Sequence, residues 1–253
     1  LPPSPLPLAS EPELTPPSAG FFPLSGDGPR RLVAAKAVRL VGLLWLGSFW
    51  LWHFSRAAQR VLPAAVMFGW HFRYLTFNSL TVQVVQLSTC VAHDLLGPRV
   101  PGLKQVADDL SCVLFPLATS VTLLYYGLNY LVPGAAREAE VIPLVDFSAH
   151  VVNSAVLWTD MLLSKEERTF SRRAAYAAIT LSFAYTAWLT LIKCWDGSYP
   201  YPILEMLSPQ GVRVFKAGAI GFFSAVFHTG RVLSPRGRED RKLRRTQRRT
   251  KAQ

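Results

Sequence analysis

Residues 73–96 read RYLTFNSLTVQVVQLSTCVAHDLL: an apolar run with a hydroxyl, Thr76, at its start and polar residues recurring along it. About 70 residues later a lone histidine, His150, sits inside a second apolar run. Runs of about 20 apolar residues match the roughly 30 Å of hydrocarbon that a transmembrane helix must cross. A hydroxyl and an imidazole are costly to keep there, so both ask for a functional explanation.

Composition agrees with a membrane class. Half of the 253 residues are apolar and 17% are charged, against roughly 25% in soluble domains. From Arg231 to Gln253 there are ten Lys/Arg and two acidic residues, a net of +8 within the chain's total of +11. The basic character therefore belongs to a tail, and no nucleic-acid-binding fold is expected. The three cysteines, Cys90, Cys112 and Cys194, lack metal-ligand spacing and are read as buried thiols without a disulfide framework.

Working outward from the quoted run, six apolar segments emerge: 32–54, 74–96, 110–131, 141–163, 174–194 and 212–233. Turn formers punctuate them at Gly97-Pro98, Pro133-Gly134 and the proline-rich 199–209 stretch. The expected fold is all-α, a polytopic transmembrane helical bundle of about six spans covering residues 30–233. Residues 1–29 hold nine of the nineteen prolines and read as a disordered or polyproline-like extension, not a signal peptide. Residues 234–253 read as a basic cytoplasmic tail that lies against anionic lipid or simply sets orientation. In the sixth segment Ala217, Gly221 and Ala225 recur every four residues, a small-residue face suited to close helix packing. Lys193 closes the fifth segment and is expected to snorkel to the surface.

Two polar stripes follow from about 100° of turn per residue. Thr76, Ser79, Gln83, Gln86, Cys90 and Asp94 share one narrow face of the second segment. Asp146, His150, Asn153, Asp160 and Ser164 share one face of the fourth. The plainest account is that the stripes bond to each other as helix glue. Thr76 and His150 are also complementary in chemistry. A threonine hydroxyl attacks only if a base takes its proton, and histidine is the usual base. Asp146, one turn before His150, has the place of an orienter. Oxyanion donors are not identifiable, with Asn78, Gln83 and Asn153 as candidates. A haem protein would need paired histidines at matching depth, which His53, His71, His93 and His228 do not clearly offer.

The stretch Arg73-Tyr74-Leu75-Thr76-Phe77, with Leu80 and Gln83, resembles the threonine-bearing segment of the androgen-induced protein family. That family includes the androgen-dependent TFPI-regulating proteins, which are six-span membrane hydrolases. His150 with Asp160 is similar to the family's histidine segment. Gly197 with Tyr201-Pro202-Ile203-Leu204-Glu205 resembles its loop before the last span. The three matches fall in family order across about residues 70–235. The resemblance implies Thr76 as nucleophile and His150 as partner. It further implies hydrolysis of lipid esters, notably fatty acid esters of hydroxy fatty acids, without a metal or organic cofactor. The chain departs from some animal members at Phe147 and Ala155, where they carry a histidine and a proline, which bears on substrate preference. A membrane scaffold or lipid-binding regulator of the same fold is the alternative function, and a haem redox protein a third.

The expected location is the endoplasmic reticulum or plasma membrane. Basic residues crowd the tail, the 97–109 loop and the 164–173 loop, whereas the 195–211 loop has none. By the positive-inside rule both termini are cytoplasmic. Epitope tags at the two ends should therefore become accessible together, and only after the plasma membrane is permeabilised. Opposite accessibility would remove the six-span arrangement.

Overall fold

Apolar runs of this length satisfy their backbone hydrogen bonds only within a helix, because hydrocarbon offers no partner. The computed structural model describes residues 28–136, 142–164, 168 and 170–234. Among these no strand occurs, and the fold is the expected all-α, membrane-type helical bundle. The long helices are α1 (Gly28–Trp52), α3 (Leu75–Leu96), α4 (Leu103–Leu131), α7 (Arg172–Asp196) and α9 (Pro209–Leu233). A sixth rod joins α5 (Pro143–Phe147), one wide π-helical turn (Ser148–Val152) and α6 (Asn153–Leu163). Two short helices, α2 (Arg56–Val61) and α8 (Pro202–Met206), lie in connections. The predicted extension and basic tail fall almost wholly outside the described residues.

By length and composition α4, α7 and the Pro29–Trp52 stretch of α1 are each sufficient to cross a membrane. The remaining long elements carry the polar load. They include Gln83, Gln86 and Asp94 on α3, Asp146, His150 and Asp160 on the interrupted rod, and Arg213, Lys216 and Arg231 on α9.

Helix α4 forms the centre, packed against α3, α6, α7 and α9, while α1 covers α3 and α6. The main core unites Leu114, Phe115, Leu117 and Ala118 of α4 with Leu157 of α6, Ala174 and Ala178 of α7, and Phe223 and Phe227 of α9. The small-residue face expected of the last helix is not where it packs. Ala217, Gly221 and Ala225 are exposed, and a Cβ on Gly221 would meet nothing within 4 Å. The inward face is instead Phe223, Phe227 and Gly230. At Gly230 a Cβ would come 2.7 Å from Phe170 and 2.8 Å from Phe115. Aromatic bulk fills the groove against α4, and one glycine makes the close approach. Cys90 and Cys112 are buried as expected, whereas Cys194 is exposed. Lys193 does not merely snorkel but pairs with Glu205 at 2.8 Å.

At the end of the bundle where α3 finishes, a buried ion network ties the elements together. The fully buried Asp160 accepts from Arg39 Nε of α1 at 2.6 Å and from Arg168 Nη2 at 2.8 Å. Arg39 also bonds Asp94 of α3 at 3.0 Å, and Arg168 bonds Asp108 of α4 at 2.9 Å. Gln86 Nε2 joins by donating to Asp160 Oδ2 at 3.5 Å, and it also donates to Ser111 Oγ at 2.9 Å. Removing one member of such a network leaves uncompensated buried charge, at a cost of about 3–5 kcal/mol. Asp160→Ala should accordingly lower the thermal midpoint in detergent far more than Asp109→Ala, whose partner Arg173 is exposed. Equal effects of the two substitutions would contradict this.

Candidate active site

Tyr74 is extended (φ −95°, ψ 134°) and the helix begins immediately after it, so Thr76 is the second residue of α3. At that position the opening turn has N–H groups without helical acceptors, and the helix dipole favours developing negative charge. The hydroxyl Oγ1 lies 3.2 Å from His150 Nε2. The structure thus brings together two residues from different helices that the sequence singled out separately.

His150 sits in the π turn, where the Asn153 N–H bonds the Ser148 carbonyl five residues back. Such single wide turns recur at functional sites. Thr122 of α4 donates to the His150 carbonyl, and Trp45 Nε1 of α1 donates to Ser148 Oγ at 3.2 Å. The wide turn is therefore held from two neighbouring helices.

Around the imidazole each atom has a defined neighbour. Nδ1 is 3.0 Å from Asp146 Oδ1 and 3.1 Å from the Asp146 carbonyl oxygen. Both are acceptors, so Nδ1 carries a proton, and in the neutral ring the Nε2 lone pair then faces Thr76. One ring face stacks on Tyr125, with centroids 3.6 Å apart and planes 12° from parallel. The residue is 8% exposed. Chemically, a hydroxyl, an imidazole and a carboxyl group placed in this way can activate a nucleophile.

Thr76 lines an open pocket with a cavity volume of about 130 Å³ between α4, α7 and α9. Its walls are apolar, with Leu117, Val121, Leu124, Leu181, Leu189 and Phe223 among them. Lys216 of α9 also lines it. Its ammonium donates to Thr190 Oγ1 at 2.8 Å and stands 5.2 Å over the Tyr199 ring. Among the described residues it has no carboxylate partner, unlike Lys193 nearby.

The other stripe residues separate by role. Asn153 Nδ2 bonds Ser79 Oγ at 3.0 Å, the helix glue expected of the stripes. Asn78 Nδ2 is engaged with both the Phe72 and Tyr74 carbonyls, so it has no N–H left for an oxyanion. Gln83 is fully buried, and its amide bonds no group among the described residues. Asp160, which follows the histidine in the sequence pattern, belongs to the ion network and not to the imidazole. His53 and His71 pack edge-to-face against each other, centroids 5.0 Å apart, inside an aromatic cluster. Among the described residues no group of three or more His, Cys, Asp or Glu has metal-binding geometry. Sequence reasoning missed Tyr125, Tyr185 and Lys216, which lie on helices without a polar stripe; Tyr201 was visible only as part of a loop motif.

The chain matches the FAR-17a/AIG1-like protein family over residues 34–235. It is 27% identical over 187 residues to a UPF0641 membrane protein of Schizosaccharomyces pombe, covering 70% of this chain and 78% of the yeast protein. It is 23% identical over 190 residues to the androgen-induced gene 1 protein of Homo sapiens, covering 68% of this chain and 80% of the human one. No solved structure matches it. With Thr76, His150 and the last-span loop all inside the matched region, this chain belongs to the FAR-17a/AIG1-like family of membrane proteins.

Proposed function

We propose that this protein is a membrane-embedded hydrolase of fatty acyl esters, with Thr76 as nucleophile and His150 as base. The observation that carries the reading is the 3.2 Å approach of Thr76 Oγ1 to His150 Nε2 at the wall of an apolar pocket. The acyl chain lies along the pocket and reaches it from the bilayer. Thr76 Oγ1 attacks the ester carbonyl carbon while Nε2 takes its proton, giving a tetrahedral oxyanion and an imidazolium. Of the opening-turn N–H groups of α3, those of Thr76 and Phe77 stabilise the oxyanion, since Leu75 and Asn78 are engaged elsewhere. Collapse expels the alcohol, which receives the proton from Nε2 and leaves an acyl-threonine. Water then attacks the acyl carbon as Nε2 takes its proton, and that proton returns to Thr76 Oγ1 as the fatty acid departs. Asp146 keeps the ring in the productive tautomer and stabilises its cation.

Fatty acid esters of hydroxy fatty acids fit this site as substrates. Their acyl chain suits the leucine-rich walls, and their free carboxylate suits the Lys216 ammonium, which has no acidic partner among the described residues. Oriented with both termini in the cytoplasm, the bundle opens the site near the opposite membrane face, in the endoplasmic reticulum or plasma membrane.

Thr76→Ala and His150→Ala should each abolish ester turnover and labelling by a fluorophosphonate. The double variant should be little worse than either, because the two act as one unit. Thr76→Ser should keep part of the activity, and Asp146→Asn should cost less than His150→Ala, since the backbone carbonyl of residue 146 still faces Nδ1. Each variant is first checked for folding and membrane insertion. Undiminished lipid-ester hydrolysis by Thr76→Ala would remove the hydrolase reading and leave a scaffold.

The carboxylate contact has its own test. Lys216→Met should raise KM about tenfold for an ester bearing a free carboxylate, a typical loss for a charge-assisted hydrogen bond. The same ester methylated at that carboxylate should be nearly unaffected. A parallel change for both substrates would leave Lys216 as a packing residue only.

A further inference from the structure

The loop motif Gly197 with Tyr201-Pro202-Ile203-Leu204-Glu205 takes no part in the bond-making steps, yet it reaches the nucleophile's helix. Gly197 ends α7 in the left-handed region (φ +74°), which a side chain would strain, and turns the chain back over the bundle. Three contacts then fix the loop. Glu205 pairs with Lys193 and accepts the Tyr199 N–H; these contacts, Lys193 first, hold its carboxyl below the usual range. The Ile203 N–H bonds the Ala135 carbonyl at 3.0 Å. Leu204 packs in a buried cluster with Leu189 of α7 and Val212 of α9.

Held this way, Tyr201 delivers its hydroxyl to the backbone beside Thr76. Its oxygen accepts the Leu75 N–H at 2.7 Å. Tyr185 of α7 lies 2.9 Å from the same hydroxyl and donates to the Arg73 carbonyl at 2.9 Å. Since Tyr185 has a single proton, Tyr201 donates to Tyr185. The chain Leu75 N–H, Tyr201, Tyr185, Arg73 carbonyl thus closes around the peptide groups just ahead of the nucleophile. Tyr74 provides no side-chain cap for α3, so Tyr201 supplies one from another part of the fold.

The rest of the approach to Thr76 is fixed in the same manner. Trp188 Nε1 donates to the Phe72 carbonyl at 3.0 Å, and Asn78 Nδ2 grips both Phe72 and Tyr74. Arg73, with no exposure, bonds Asp196 at 2.9 Å. Upstream, Trp70 is held at φ +50°, a conformation that a bulky residue keeps only where its surroundings over-determine it. Such density of hydrogen bonds on four residues exceeds what helix initiation alone requires.

We infer that Tyr201 and Tyr185 are positioning residues that set the Thr76 hydroxyl against His150, and that the 197–208 loop holds Tyr201 in place for this. The inference rests on the reading of Thr76 as nucleophile. Neither tyrosine proton is available to a substrate oxygen, so both act through the backbone and not on the ester.

The test compares Tyr201→Phe and Tyr185→Phe with the parent and with Thr76→Ala, as full-length proteins in micelles. Each loses one oxygen atom and keeps its ring in the pocket wall. Turnover of a long-chain acyl ester and the rate constant of fluorophosphonate labelling should fall about tenfold to a hundredfold, as expected for a misplaced reacting group. KM should shift by less than about twofold, and the double variant should resemble the single ones. A purely structural role predicts a different pattern: fewer molecules label, but those that do label at the parental rate. That pattern, or a parental rate in Tyr201→Phe alongside an inactive Thr76→Ala, overturns the inference while the hydrolase reading stands. Full activity in Thr76→Ala removes both.

Discussion

Asp160 is the charge around which the bundle is assembled. A carboxylate without exposure is tolerable only with cationic partners and hydrogen bonds in place, and Arg39 and Arg168 supply them from opposite sides. Through Asp94, Asp108 and Gln86 the same network reaches α3 and α4. Apolar helices in lipid gain little from burying one surface instead of another, so packing alone leaves sliding and rotation weakly defined. Charges that must meet remove that freedom.

The consequence appears at the other end. Asp160 and His150 belong to one helical rod and are ten residues apart, or about 15 Å along its axis. Gln86 and Asp94 share α3 with Thr76. Fixing the rod against α3 at the ion network therefore fixes the register in which His150 meets Thr76. The Asn153–Ser79 bond, between the two levels, continues the same alignment. The π turn adds a local correction, widening the helix at His150 while Thr122 and Trp45 hold the altered backbone.

The hydrogen-bonded site adjoins an apolar pocket. Its walls come from α4, α7 and α9, whereas the polar line of Asp146, His150 and Thr76 comes from the α5–α6 rod and α3. Pocket walls and polar line thus sit on different elements that meet at Thr76 and Tyr125. Tyr125 belongs to both, stacking on the imidazole and lining the pocket. The loop after α7 closes the arrangement, joined through Ala135 to the turn that follows α4 and through Tyr201 to α3.

Much of this was legible in one dimension, for a physical reason. Hydrocarbon imposes the same length and apolarity on every spanning segment, so the six runs, the all-α class and the family resemblance could be read locally. Polar residues stand out against such a background, which made Thr76, His150 and Asp146 candidates before any contact was known. Beyond the line of Thr76, His150 and Asp146, what pairs with what was not legible. Asp160 shares a stripe with His150 yet answers to two arginines, one of them on the first helix. The small-residue stripe at Ala217, Gly221 and Ala225 faces outward, because the rotation of α9 is set by Phe223, Phe227 and Gly230 meeting α4 and Phe170. Tyr185, Tyr201 and Lys216 lie far from Thr76 in sequence and reach its pocket only when α7, α9 and their connecting loop fold back over α3. Sequence determined which groups are too costly to leave unexplained in a membrane; tertiary structure alone decided their partners, because partnership depends on helix rotation and depth, which no single segment encodes.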